Sequence, residues 1–174
     1  TPITPDKLQP VFQKLCEAYK GNIRLHLAAE NMLDTFFDKR LKNDELLSMD
    51  IFGKSLLVEM SYFNRPMNLS GNIHRIKSKG YTPILAHPER YTYMEDEEYR
   101  ALKEMDVKFQ LNIFSLAGAY GHVAKKKAFQ LLHAGMYDIC GTDTHNARWL
   151  KRYLNVACLS SKATELLKPI FAAE

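Results

Sequence analysis

Residues 84–91 read Ile-Leu-Ala-His-Pro-Glu-Arg-Tyr, and residues 141–146 read Gly-Thr-Asp-Thr-His-Asn. Each stretch closes an apolar run with side chains that bind divalent cations. His87 is followed by Pro88, and proline cannot continue a central strand, so His87 sits where a strand stops. Asp143 and His145 are two apart, which on extended backbone turns them to the same side. A carboxylate and an imidazole converging at a strand end suit a divalent cation. Two more carboxylates end apolar runs in the same way: Glu30 after Ile-Arg-Leu-His-Leu-Ala-Ala, and Glu59 after Leu-Leu-Val.

Working outward from these stretches, helix and strand patterns alternate along the chain. Strands are predicted over residues 23–30, 55–61, 82–87, 109–114 and 137–142. The first helix starts with Thr4 as N-cap and Pro5 at the first helical position, carries a stripe of Leu8, Val11, Phe12, Leu15, Cys16 and Tyr19, and closes at Gly21. Pro10 is a potential kink within it. Further helices are predicted over residues 32–47, around Ile73 and Ile76, after the acidic run 95–98, and over 123–133, 148–153 and 162–171. Strands each followed by a helix imply an α/β fold with a parallel sheet and right-handed crossovers. The strands are too apolar for one face to be solvated. Every ligand candidate lies at the C-terminal end of a strand, where barrels and open α/β sheets both build their sites. The pattern alone leaves barrel and open doubly wound sheet equally open.

Length and composition set the outer bounds. The 174 residues fit one domain spanning 1–174, and 46% hydrophobic with 25% charged residues is ordinary for a globular protein. No apolar run approaches the roughly 20 residues needed to span a bilayer, and the opening is polar, so the expected location is the cytoplasm. Cys16, Cys140 and Cys158 are odd in number and lack zinc spacing, which suits reduced thiols. A net charge of +4 without a basic stripe interleaved with aromatics argues against nucleic acid and is compatible with an anionic substrate.

The motifs, in order, are Leu27-Ala-Ala-Glu30 with Leu33-Asp34, Leu57-Val-Glu59-Met-Ser, Pro83-Ile-Leu-Ala-His-Pro-Glu-Arg-Tyr91, Leu111-Asn112 with Ser115-Leu-Ala-Gly-Ala-Tyr-Gly121, and Gly141-Thr-Asp-Thr-His-Asn146. Over essentially the whole chain they resemble the PHP (polymerase and histidinol phosphatase) superfamily, and within it the bacterial CpsB/YwqE-type tyrosine-protein phosphatases of capsule and exopolysaccharide clusters. The resemblance implies a PHP-type distorted (β/α)7 TIM-like barrel with a divalent metal cluster at its C-terminal mouth, manganese ahead of iron or zinc. It implies that Glu30 bridges metals, that Glu59, His87, Asp143 and His145 are metal ligands, and that Arg90 and Arg148 lie near the phosphate. It also implies a phosphotyrosine protein as substrate, a bacterial tyrosine autokinase first among them, with a homo-oligomer left open. Members of this branch begin with strands ending in His-x-His and Thr-Pro-His. The six histidines here are 26, 74, 87, 122, 133 and 145, and none are two apart. The expectation is a chain lacking the first two strand-helix units.

The implied chemistry is hydrolysis of a phosphate monoester. Divalent ions neutralise the dianion and make water nucleophilic near neutral pH, while guanidinium forks hold the non-bridging oxygens. No thiol nucleophile is expected, because no cysteine begins a Cys-x5-Arg loop. Two other readings remain: a different phosphoesterase of the superfamily, such as a histidinol-phosphate phosphatase, or an inactive fragment acting through protein contacts. Plainer roles compete residue by residue. Arg90 can pair with Glu89 or the acidic run at Glu95, Asp143 can cap the next helix, and Tyr62 and Phe63 can be packing residues or an aromatic rim. His26 reads as structural, His74, His122 and His133 as helix-surface residues, and Lys125-Lys-Lys127 as a solvated face.

Overall fold

The computed structural model describes residues 5–154 and 159–171. The N-cap expected at Thr4 and the thiol of Cys158 lie outside these residues; Cys16 and Cys140 are free thiols. The elements run α1 (Pro5–Ala18), β1 (Asn31–Met32), α2 (Phe37–Lys42), β2 (Met49–Asp50), β3 (Lys54–Glu59), α3 (Leu69–Ser78), β4 (Thr82–Ala86), a 3-10 turn (Pro88–Arg90), α4 (Asp96–Glu104), β5 (Lys108–Asn112), α5 (Ile113–Leu116), α6 (Gly121–His133), β6 (Ile139–Gly141), α7 (Ala147–Leu154) and α8 (Ser161–Phe171). The fold is α/β with a parallel sheet in the order β1-β3-β4-β5-β6, each neighbour pair parallel; β2 adds to β3 antiparallel. Among the described residues no ladder joins β1 to β6, so the sheet is open at both edges.

The central strands are buried on both faces, as a parallel sheet requires. Leu56, Val58, Ile84, Leu85, Phe109 and Leu111 are each at most 1% exposed. Each such side chain contributes roughly 1.5–3 kcal/mol by leaving water. Ile73 and Ile76 of α3, Tyr99 and Leu102 of α4, and Ala128, Leu131 and Leu132 of α6 close over the sheet. Asp138 ties the start of β5 to α4, accepting from the Phe109 backbone N–H at 2.7 Å and from Lys103 Nζ at 2.6 Å.

Several expectations are corrected. Residues 23–30 form no strand, and only Asn31–Met32 pair, beside Val58 and Glu59. The reason is competition for one edge of β3. β4 occupies one side of β3 over Ser55–Val58; on the other, β2 takes Lys54–Ser55, which residues 27–28 would face in the register of Asn31 beside Val58, and the Asn31 side-chain amide donates to the Leu57 and Ala29 carbonyls. That segment consequently carries exposed Ile23 and His26. The helix expected over 32–47 shrinks to Phe37–Lys42. Asp34 Oδ1 accepts the Phe36 N–H at 3.0 Å, which starts the helix late, and Asp44 at φ 54° ends the segment. The 109–114 strand stops at Asn112, whose side chain accepts the Phe114 N–H and opens α5. α1 forms with Pro10 inside it, but it buries no residue, so its apolar stripe has no core to meet. Lys127 is not simply solvated: it pairs with Asp96 at 3.1 Å and stands over the Tyr99 ring.

Candidate metal centre and phosphate site

The strand ends converge. Glu59 is the last residue of β3, His87 follows β4, and Glu30 immediately precedes the short β1. His87 Nε2 lies 3.0 Å from Glu30 Oε1 and 3.7 Å from Glu59 Oε2. One ligand atom from each residue falls within 4.8 Å of the others, so the three together can hold a metal ion. The donor set fits a divalent cation on its own chemistry. Two carboxylates face one imidazole at the bottom of a partly buried site. Burial first, and then the neighbouring Glu30 carboxylate, raise the Glu59 carboxyl above its ordinary range, with His87 pulling the other way. A cation between them would relieve both penalties.

His87 adopts a left-handed backbone, φ 34° and ψ 55°. For a residue with a Cβ this costs about 1–2 kcal/mol. It is held by a hydrogen bond from its N–H to Gln110 O at 2.8 Å and by the following 3-10 turn, in which Arg90 N–H returns to His87 O at 3.0 Å. His87 is 1% exposed, and its Nδ1 is buried with no hydrogen-bond partner among the described residues. Tyr62 Oη stands 3.4 Å from Nε2, and the Tyr91 ring packs at 5.7 Å between centroids.

Arg90 lies next to this cluster. Its guanidinium is sandwiched between the Tyr62 ring at 4.3 Å and the Tyr120 ring at 4.1 Å. Nη1 donates to Asp143 Oδ2 at 2.9 Å. Burial raises the phenols of both tyrosines, so both remain neutral rings against the cation. Arg90 and the two tyrosines also line an open groove of about 240 Å³ with Thr92, Val123 and Ala124. Arg90 therefore pairs with neither Glu89 nor Glu95, the two partners its sequence position suggested.

The remaining expected residues are less tightly gathered. Asp143 is not on extended backbone; at φ 47° it turns out of β6. His145 still comes within 3.4 Å of Asp143 Oδ1, but its side chain is 77% exposed. Arg148 is exposed and has no hydrogen bond or ion pair to a described residue. Phe63 is 87% exposed, so the aromatic partner at this rim is Tyr62.

Sequence reasoning gave no role to Asn112, Tyr120 or Tyr137, and took Glu89 only as a partner for Arg90. Glu89 is fully buried, and the Asn112 amide donates to Tyr120 Oη at 3.0 Å and reaches Asp143 Oδ2 at 3.4 Å. Asn112 ends an apolar strand just as Glu59 does, and that rule would have found it. Tyr120 falls within the Ser115–Gly121 motif, which by itself does not reveal its stacking, and nothing local marks Tyr137.

Residues 3–163 match the model of the family described as capsular polysaccharide synthesis, CpsB/CapC. The chain belongs to the CpsB/CapC family. The tyrosine-protein phosphatase YwqE of Bacillus subtilis (strain 168) is 26% identical over 133 residues, 74% of this chain and 52% of that protein. This CpsB/CapC chain thus spans about half the length of that curated relative. A chain from the crystal structures of YwqE from Bacillus subtilis and CpsB from Streptococcus pneumoniae, described as unique metal-dependent tyrosine phosphatases, superposes with a TM-score of 0.66. The match covers 95% of this chain and 73% of that chain at 22% identity, which establishes the shared fold.

Proposed function

We propose that this chain carries a metal-dependent phosphatase site for phosphotyrosine in proteins, acting in the control of capsular or exopolysaccharide synthesis. The observation that carries the reading is the convergence of Glu30, Glu59 and His87 at one end of a parallel sheet, with the Arg90 guanidinium displayed beside them. The family match and the similarity to a tyrosine-protein phosphatase support it. On the same reading the open sheet belongs to a distorted (β/α)7 barrel, Asp143 and His145 join the metal set, and Arg148 joins Arg90 at the phosphate. The substrate is a phosphotyrosine protein such as a tyrosine autokinase in the cytoplasm. Among the described residues, no helix is long and apolar enough to cross a membrane.

Divalent cations, manganese first, would screen the phosphate dianion and make water acidic enough to attack near neutral pH. Glu30, Glu59 and His87 would hold them. Arg90 supplies the fixed charge. Its two faces are covered by Tyr62 and Tyr120, so its N–H groups are presented edge-on, the geometry that grips a phosphoryl group. Of its five donors, Nη1 is engaged by Asp143. The open groove of about 240 Å³ along Tyr62, Thr92 and Tyr120 would receive the ring of the leaving phenol. Cys140 takes no part: it sits in β6, and burial raises its thiol.

The test is turnover of a phosphotyrosine peptide by the purified chain with added manganese, before and after chelation with EDTA, with histidinol phosphate as competing substrate. Manganese-dependent release of phosphate from the peptide supports the proposal. Preference for histidinol phosphate would move the chain to another phosphoesterase class, and the absence of bound metal and turnover would leave a module acting through protein contacts.

A further inference from the structure

Glu89 lies between His87 and Arg90 in sequence and is 0% exposed. Its Oε1 accepts from Ser115 Oγ at 2.7 Å and from the Asn112 backbone N–H at 3.1 Å, and its Oε2 accepts from Tyr137 Oη at 3.0 Å. These donors come from the end of β5, from α5, and from the segment entering β6. One carboxylate thus fastens the turn after β4 to the next two strands. A carboxyl group here is not what folding alone would select, because a well-packed apolar residue of similar volume serves a core at least as well. Burial raises its carboxyl above the ordinary range, so it sits there against its own solvation.

Its position explains what it does. His87 holds a left-handed backbone that survives only where the surroundings over-determine it. The 3-10 turn Pro88–Arg90 is the immediate constraint, and it is pinned on one side by Tyr99 Oη donating to Pro88 O at 3.0 Å and on the other by Glu89. Asn112, whose N–H Glu89 holds, sends its amide to Tyr120 and toward Asp143. A single buried carboxylate is therefore one step removed from His87, Arg90, Asp143 and Tyr120.

We propose that Glu89 is a positioning residue: it holds the His87–Arg90 turn and Asn112 so that His87 Nε2 faces Glu30 and Glu59 while Arg90 faces Asp143. The proposal rests on reading Glu30, Glu59 and His87 as a cation site. Glu89→Gln preserves shape but places an amide N–H₂ among three donors, and Ser115→Ala removes one donor from the same carboxylate. In Glu89→Gln the manganese dissociation constant, measured by titration calorimetry on the folded protein, rises about 10- to 100-fold, the usual effect of losing a group that orients a ligand. Ser115→Ala moves it in the same direction by less. A purely structural role would lower the melting temperature of both variants and leave the manganese affinity of the folded molecules unchanged, and that result overturns the proposal. The ¹⁵N resonances of the His87 imidazole in metal-free protein give a second readout. If the unsubstituted chain binds no manganese, the cation-site reading fails, and these resonances decide on Glu89 alone: displaced in Glu89→Gln they sustain its hold on His87, unmoved they overturn it. If Glu89→Gln does not fold, Ser115→Ala decides by the same two measurements.

Discussion

Arg90 Nη1 and Asp143 Oδ2 lie 2.9 Å apart, with side chains only 17% and 15% exposed, so the turn after β4 is fastened to the turn after β6 by a largely buried ion pair. The pair links the two segments whose motifs define the site. It also means that the guanidinium proposed to hold phosphate is held in place by a carboxylate proposed to hold metal.

Replacing Arg90 by Lys keeps the charge but loses the planar group stacked between Tyr62 and Tyr120. The expected outcome is a fall in kcat/KM for a phosphotyrosine peptide of about 10- to 100-fold, matching loss of a hydrogen bond to a charged group worth about 1.5–3 kcal/mol. Tyr120→Leu should raise KM in the same direction. Steady-state kinetics check both, and an unchanged kcat/KM in Arg90→Lys would remove Arg90 from the phosphate.

His87→Ala takes the imidazole from between Glu30 and Glu59. Manganese affinity should fall more than about 100-fold, since even indirect defects at metal sites cost about 10- to 100-fold. EDTA should abolish the activity of the unsubstituted chain, and added manganese should restore it. Calorimetric titration of His87→Ala is the measurement; wild-type affinity there would put the cation elsewhere.

The thiol of Cys140 is raised by burial, whereas Cys16 is exposed. A raised pKa leaves less thiolate at any given pH, so in a Cys158→Ser background Cys16 should react with a disulfide reagent at pH 8 well before Cys140. The linkage follows the same sign. Folding favours the protonated thiol, so that contribution to stability is complete below the unfolded thiol pKa, about 8.5, and is lost as pH rises through the folded value. Cys140→Ser should leave turnover unchanged, which a phosphatase assay checks.

Core and periphery should separate sharply in stability. Leu56→Ala or Ile84→Ala, at positions with no exposure, should cost about 2–5 kcal/mol. Val11→Ser and Leu15→Ser, on the face of α1 that is 65% and 52% exposed, should change stability by no more than about 0.5 kcal/mol. Urea denaturation followed by circular dichroism measures both, and a large cost at Leu15 would show that α1 is packed in solution.

The parallel sheet and the strand ends at Glu59 and His87 were legible in the sequence because both are local. An apolar run that stops at His87-Pro88 or at Glu59 states its own direction and end, and the burial of Leu56, Ile84 and Phe109 agrees with those runs. Periodicity likewise placed α6 and α8 within two residues of their observed starts. The run at 23–30 has the same local signature, yet it is not a strand, because a strand needs a free edge and β2 had taken that part of β3. The pairing of Arg90 was equally undecidable along the chain. Glu89 is adjacent in sequence but points into the core toward Tyr137, while Asp143, 53 residues away, is the carboxylate that faces the guanidinium. Sequence placed Glu59 and His87 at the ends of β3 and β4, but it set Glu30 at the end of a strand that does not form. Only the tertiary structure decided which of them touch, because edge occupancy, the left-handed turn at His87 and the stacking of Tyr120 on Arg90 depend on atoms that the chain brings together by folding.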